Sequence, residues 1–176
     1  MKAKVNNQTM IHEARVFKLV RDNVTLPNGV TLDMDIIRHP GAAAIVALKN
    51  DKTVILLRQY RHAMAETIWE VPAGTLNGNE SPLECAKREL EEETGFRADK
   101  WEKLGVIAPL PAYSDERIHV YLAMELTPSR QNLDQDEILE VKEVTLSDAL
   151  VMISNGQIKD SKTISSLFLA SLKINK

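Results

Sequence analysis

Glu89, Glu92 and Glu93 stand close together in a run that reads RELEEETG. On a helix, residues three and four apart share a side, so these carboxylates project together. Like charges at that spacing repel and destabilise the helix unless a cation neutralises them. Hard divalent ions such as Mg²⁺ take oxygen ligands and share sites with substrate phosphates. A carboxylate cluster beside a loop therefore suits a pyrophosphate–metal site. The plainer alternative is a solvated acidic helix face, which is what most charge runs are. Arg88 is expected to pair with one of the glutamates and hold it in place, a structural role.

The helix that must present these groups is delimited at both ends. Ser81-Pro82-Leu83-Glu84 supplies a serine cap, a proline at the first helical position and a glutamate placed to reach back as a capping box. Gly95 can take the left-handed conformation that ends a helix. Between them the chain runs about three to four turns. Cys85, one turn before Glu89, is expected as a small packing residue rather than a nucleophile.

Around this helix the pattern alternates between strands and turns. Ala14 to Ile37 alternates apolar and polar on both sides of Leu26-Pro27-Asn28-Gly29, an early hairpin with Asn-Gly at the turn. Ala42 to Leu48 and Thr53 to Gln59 form a second pair around Lys49-Asn50-Asp51-Lys52. A short strand from Ile68 to Pro72 leads into the helix segment. Strands at Lys103–Ala108 and His119–Leu126 flank a proline-containing loop, and Val141–Val144 adds another. Leu146 to Leu150 starts a short helix, and a last helix from Ser161 to Ile174 sets Ile164, Leu167, Phe168 and Leu172 on one stripe. Mixed strands with few helices predict an α+β layered sandwich.

The chain has 176 residues, 44% hydrophobic and 27% charged, enough for one well-formed core and too few for two comfortable domains. Residues 1–40 read as an N-terminal β-hairpin extension and 41–176 as the main domain. A net charge of −3 leaves no electrostatic footprint for nucleic acid, and no apolar run reaches membrane-spanning length. The N-terminus lacks the apolar core of a signal peptide, and Cys85, the single cysteine, allows no internal disulfide, so a cytoplasmic protein is expected. His12, His39, His62 and His119 are scattered, without the spacing of a zinc site.

Gly74 to Phe96 reads GTLNGNESPLECAKRELEEETGF and fits, without a mismatch, the Nudix box G-x5-E-x7-R-E-U-x-E-E-x-G-U, where U is apolar. The matching residues are Gly74, Glu80, Arg88, Glu89, Leu90, Glu92, Glu93, Gly95 and Phe96. Average residue usage makes such a match a chance event on the order of 10⁻⁹ per start position, which sets the solvated-face reading aside. From about Val16 to Leu172 the chain further resembles the ADP-ribose pyrophosphatase and nucleoside diphosphate sugar hydrolase branch of that family. Leu57-Arg58-Gln59-Tyr60-Arg61 with Trp69-Glu70-Val71-Pro72-Ala73-Gly74 is similar to the branch's segment ahead of the box. Pro111, fifteen residues past Phe96, resembles the marker of ADP-ribose hydrolases. Leu110 to Glu116 is similar to a family loop that supplies a glutamate, although Ala112 stands where glycine is usual.

The resemblance implies a Nudix fold, an α/β/α sandwich with a mixed sheet, plus an N-terminal antiparallel β extension that helps build a homodimer. It implies Mg²⁺ or Mn²⁺ held by Glu89, Glu93 and the main-chain carbonyl of Ala73, with Glu92 and Glu116 completing a multi-metal set. Glu116 is the expected general base, with Glu92 the other catalytic carboxylate, and Arg58, Arg61, Glu70 and Pro111 are expected to meet a nucleotide-sugar substrate. Gly74, Glu80, Arg88 and Gly95 are expected to be structural. The implied reaction is metal-dependent hydrolysis of the pyrophosphate bond of ADP-ribose or other nucleoside diphosphate sugars. Dinucleoside polyphosphates or nucleoside triphosphates as substrates, and a non-catalytic ADP-ribose sensor, are the alternatives.

Overall fold

The structure, a computed structural model, describes residues 2–50, 52–135 and 137–174; Asp51 of the expected Lys49–Lys52 turn lies outside them. The chain divides into two compact units, Met1–Gly41 with Ala108–Arg117, and Ala42–Ile107 with Ile118–Lys176.

The first unit is an antiparallel sheet of β1 (Lys4–Glu13), β2 (Lys18–Thr25) and β3 (Thr31–Arg38), with β2 in the middle. The β2–β3 turn is the expected one: Gly29 has φ 87°, and its N–H donates to the Leu26 carbonyl at 2.9 Å. β1 is an addition to the expected hairpin. It is exposed at every position and joined to β2 by the backbone ladder and by polar pairs such as Gln8 to Asp22 at 2.7 Å. The 108–117 loop docks on β3, where the Ile37 N–H donates to the Tyr113 carbonyl at 2.8 Å.

The second unit holds a mixed seven-stranded sheet. Its path runs β10 (Leu139–Thr145), β5 (Thr53–Arg61), β4 (Ala42–Leu48), β9 (Ile118–Pro128), β8 (Phe96–Ile107). β4 and β9 are parallel, with Ala42 opposite Ile118, and the other pairings are antiparallel. β4 meets β5 only at Ala47 and Leu48. Beyond that point β5 pairs with β6 (Glu66–Glu70), and the far end of β4 pairs with β7 (Ala73–Thr75). This split is what brings the chain from β6 through β7 to the head of the acidic helix.

β4 is an unbroken apolar run because both of its faces are covered. Ala42, Ala44 and Val46 join one core with Leu146, Ala149, Leu167 and Ala170 of helices α2 (Leu146–Ser154) and α3 (Ser161–Ile174). Ala43, Ile45 and Ala47 join a second core with Cys85, Ala86 and Leu90 of α1 (Pro82–Thr94). The result is the expected α/β/α sandwich. No helix among the described residues is long and apolar enough to cross a membrane.

Two expectations about elements need correction. β8 begins at Phe96, directly after the α1 cap, rather than at Lys103, because its first half is a half-exposed strand with a largely polar sequence. On α3 the buried face is Thr163, Ser166, Leu167, Ala170 and Ser171, whereas Phe168 and Leu172 are 49% and 66% exposed. Small side chains there let the helix backbone approach the sheet, which turns the larger apolar residues outward.

Candidate active site

Helix α1 is placed by its ends. The Glu84 N–H donates to Ser81 Oγ at 3.3 Å and the Ser81 N–H to Glu84 Oε2 at 2.9 Å, closing the capping box. At the other end Gly95, φ 71°, donates its N–H to the Glu91 carbonyl at 2.9 Å. The apolar face with Cys85, Ala86 and Leu90 locks the helix rotation, so Glu89 and Glu93 turn toward β7 while Glu92 stays half-exposed. Cys85 is buried, its thiol pushed up to about 12 by burial and then by the Glu89 and Glu80 charges, and its Sγ–H donates to the Gly74 carbonyl at 3.5 Å. That is the packing role its position predicts.

Strand β7 meets the acidic face at two points. The Ala73 N–H donates to Glu93 Oε2 at 2.9 Å. Gly74 lies so close to Glu89 that a Cβ built on it would sit 1.8 Å from Oε1. Only glycine leaves the Glu89 carboxylate room.

Arg88 ties three box glutamates together. Its Nε and Nη2 donate to Glu80 Oε1 and Oε2 at 2.9 and 3.1 Å, while Nη1 donates to Glu89 Oε1 at 2.6 Å and Glu92 Oε2 at 2.9 Å. Glu80 also accepts from the Asn77 N–H at 3.1 Å, which pins the loop before the helix. The fork geometry of a guanidinium allows this division of labour, which a lysine could not reproduce.

The charges remain unbalanced. Burial, followed by the neighbouring Glu89 charge, holds Glu93 well above the usual carboxylate range. Burial also raises Glu89, with Arg88 pulling the other way and Glu92 and Glu137 adding repulsion. Among the described residues no three His, Cys, Asp or Glu side chains converge as a ready-made ion cage, and Arg88 is bonded to both Glu89 and Glu92. The donor chemistry nonetheless fits a hard divalent cation: all-oxygen, two groups buried, and both carboxyls held above their ordinary range even with Arg88 on Glu89.

Arg61 and Glu70, separately expected at the substrate, form one bidentate pair at 2.8 and 2.6 Å, with Glu70 2% exposed. Arg58 lies over the Trp69 ring, 5.6 Å from its centroid. Pro111 and Glu116 belong to the first unit, where Glu116 Oε1 is 3.8 Å from His39 Nδ1.

Sequence reasoning missed two groups. Glu137, in the polar stretch before β10, lies near enough for its charge to raise both Glu89 and Glu93, and nothing in its sequence context marks it. Lys162 donates to Glu70 Oε2 at 2.5 Å and to Asp160 Oδ2 at 2.9 Å. Here a signal existed: Asp160, three residues before Thr163, is a helix cap, and its Oδ2 accepts from the Thr163 N–H at 3.0 Å.

A glycine-bearing strand, an arginine-tied loop and a capped acidic helix on an α/β/α sandwich define the Nudix class of hydrolases. Residues 38–167 match the NUDIX domain, and the chain belongs to that family as a Nudix hydrolase. It is 43% identical over 156 residues to the methanol dehydrogenase activator of Bacillus methanolicus, covering 88% of this chain and 84% of that one. To the ADP-ribose pyrophosphatase of Bacillus subtilis it is 38% identical over 175 residues, 98% of this chain and 95% of the relative. A solved structure described as an ADP compounds hydrolase superposes with a TM-score of 0.86 over 99% of this chain and 95% of that one, at 23% identity, a likeness of fold.

Proposed function

We propose that this enzyme hydrolyses the pyrophosphate bond of ADP-ribose or another nucleoside diphosphate sugar, yielding a nucleoside monophosphate and a sugar phosphate. The observation that carries the chemistry is the pair of buried carboxylates, Glu89 and Glu93, set against Gly74 and Ala73 with one arginine, Arg88, on Glu89. The near full-length similarity to an ADP-ribose pyrophosphatase supports the substrate class. Mg²⁺ or Mn²⁺ would be held by Glu89, Glu93 and the Ala73 carbonyl, with Glu92 as a further ligand. When bound, the metal would neutralise phosphate charge and polarise the phosphoryl oxygens.

The protein's own groups do the positioning. Arg88 holds Glu89 and Glu92 in place. Arg61, anchored by Glu70, and Arg58, steadied on Trp69, offer guanidinium groups to phosphate oxygens. A carboxylate outside the box takes the proton of the attacking water as its oxygen bonds to phosphorus. The bridging P–O bond breaks and the leaving oxygen departs with the second phosphate. Glu116 was the expected base. Glu137, whose charge adds to the repulsion on Glu89 and Glu93, is the second candidate.

The deciding experiment is phosphatase-coupled phosphate release with Mg²⁺ across ADP-ribose, ADP-glucose, GDP-mannose, UDP-glucose, diadenosine polyphosphates and nucleoside triphosphates. Turnover of the sugar compounds above the others supports the reading, and no turnover on any of them refutes it in favour of a sensor. The proposed assembly is a cytoplasmic homodimer built through the first unit, where β1 leaves Val5, Met10 and Ile11 exposed. Sedimentation as a monomer at micromolar concentration would overturn that. The likeness to a dehydrogenase activator favours a second reading, action on a dehydrogenase, tested by adding the protein to an alcohol dehydrogenase assay.

A further inference from the structure

The four residues that carry the chain from β6 into β7 are pinned one by one. Glu70 is held through its side chain by Arg61 and Lys162. The Val71 N–H donates to Thr163 Oγ1 at 2.9 Å, a bond buried in the core. The Pro72 carbonyl accepts from the Ile45 N–H at 2.8 Å. The Ala73 N–H ends the series on Glu93 at 2.9 Å. Two of these four ties come from the first turn of α3, 92 residues further along the chain.

That turn is itself a closed network. Asp160 Oδ2 accepts from Lys162 Nζ at 2.9 Å, from the Thr163 N–H at 3.0 Å and from Thr163 Oγ1 at 2.6 Å. Thr163 Oγ1, having donated to Asp160, has its lone pairs free for the Val71 N–H, so the cap sets the direction of the bond to the strand. Lys162 is 14% exposed, Asp160 18% and Glu70 3%, so all three charges are held largely away from water and depend on one another. In such surroundings a missing partner is costly, and the remaining groups rearrange.

We propose that Lys162 is a positioning residue for the hydrolytic site: with Asp160 and Thr163 it clamps Glu70 and Val71, and through them sets both the Arg61 guanidinium and the Ala73 N–H that orients Glu93. The inference rests on the hydrolase reading above for its kinetic arm only. Lys162 reaches Arg61 directly through Glu70 and Glu93 through the strand beyond it, so both substrate capture and the placement of Glu93 respond to it.

The test compares Lys162→Met, which keeps length and loses charge, with Lys162→Arg, which keeps the cation. Two quantities are read on the intact protein: kcat and KM for ADP-ribose, and amide hydrogen exchange at Ala73. Lys162→Met should lower kcat at least tenfold, raise KM several-fold through Arg61, and speed Ala73 exchange at least tenfold. Lys162→Arg should recover most of both. An unchanged kcat, or a loss that arginine does not restore, overturns the proposal. Should the parent enzyme turn over no nucleotide sugar, the substrate reading fails, and Ala73 exchange alone decides the clamp: acceleration supports it and no change overturns it. Should Lys162→Met fail to fold, Asp160→Asn takes its place, keeping an acceptor for Thr163 while removing the carboxylate charge that Lys162 pairs with. It should cut kcat several-fold and speed Ala73 exchange, and parent-like values of both overturn the proposal.

Discussion

Replacing Gly74 with alanine adds one methyl group at the most crowded point of the site. That methyl would lie 1.8 Å from Glu89 Oε1 and 2.0 Å from its Cδ, where contacts below 3.0 Å are essentially never seen. The carboxylate must therefore retreat by about 1.2 Å, the gap between observed and tolerable distance. The movement also breaks its 2.6 Å bond to Arg88. A misplacement of about 1 Å costs roughly 100-fold in rate, about 2.7 kcal/mol of barrier. The backbone at Gly74 is not in the left-handed region, and the obstruction is the end of a flexible side chain. Folding should therefore tolerate the change, with melting lowered by no more than about 2–4 °C, the shift that corresponds to 1 kcal/mol in a chain of this size. The assay is phosphatase-coupled ADP-ribose hydrolysis beside a thermal melt. A kcat within threefold of the parent would refute the reasoning, and so would a collapse in melting temperature. The double variant Gly74→Ala/Glu89→Gln should be no slower than Glu89→Gln alone, because both changes act through one carboxylate.

Glu93→Gln keeps an acceptor for the Ala73 N–H and removes a charge that burial and Glu89 disfavour. A carboxyl raised in the folded state costs stability once pH climbs from its ordinary 4.5 through the folded value, so at neutral pH with chelator the variant should melt higher, by about 2–4 °C per kcal/mol relieved, while losing turnover. Arg88→Lys cannot serve Glu80, Glu89 and Glu92 together, and kcat should fall at least tenfold with a lower melting temperature, read in the same two assays. At Glu70 burial pushes the carboxyl up, but Arg61 and Lys162 outweigh it and leave it below 4.5. Its contribution is thus present above pH 4.5 and lost as pH falls through the folded value, and Glu70→Gln should flatten that acid-side loss in urea unfolding midpoints measured from pH 6 to pH 3.

The parts of the molecule legible in its sequence are those with local rules. Ser81, Glu84 and Gly95 declare the ends of α1, and the apolar run of β4 declares a strand covered on both faces. β1 was hidden because KVNNQTMIHE buries nothing and is held by backbone pairing and polar contacts alone. The α3 stripe was misplaced because counting large apolar residues ignores how closely a helix can approach a sheet, and here Thr163, Ser166 and Ala170 make that approach. In the site, spacing gave the acidic face and the need for Arg88. It could not give Glu137, and the Asp160 cap marks where Lys162 sits but not its bond to Glu70, which exists only after distant segments meet.

The parallel pairing of β4 with β9 has a consequence for how the chain reaches this state. Ala42 finds Ile118 across 76 residues, and until that meeting takes place the core under α1 lacks Tyr121 and Ala123. Local pieces such as the β2–β3 hairpin can form as they leave the ribosome, but the middle of the sheet must wait until translation has passed β9. Until then β4, apolar on both faces and open along one edge, is the segment most exposed to wrong pairing. A slow, chaperone-sensitive step in biosynthesis should map to that interval, read as chaperone capture of nascent chains that end before β9 against chains that extend past it.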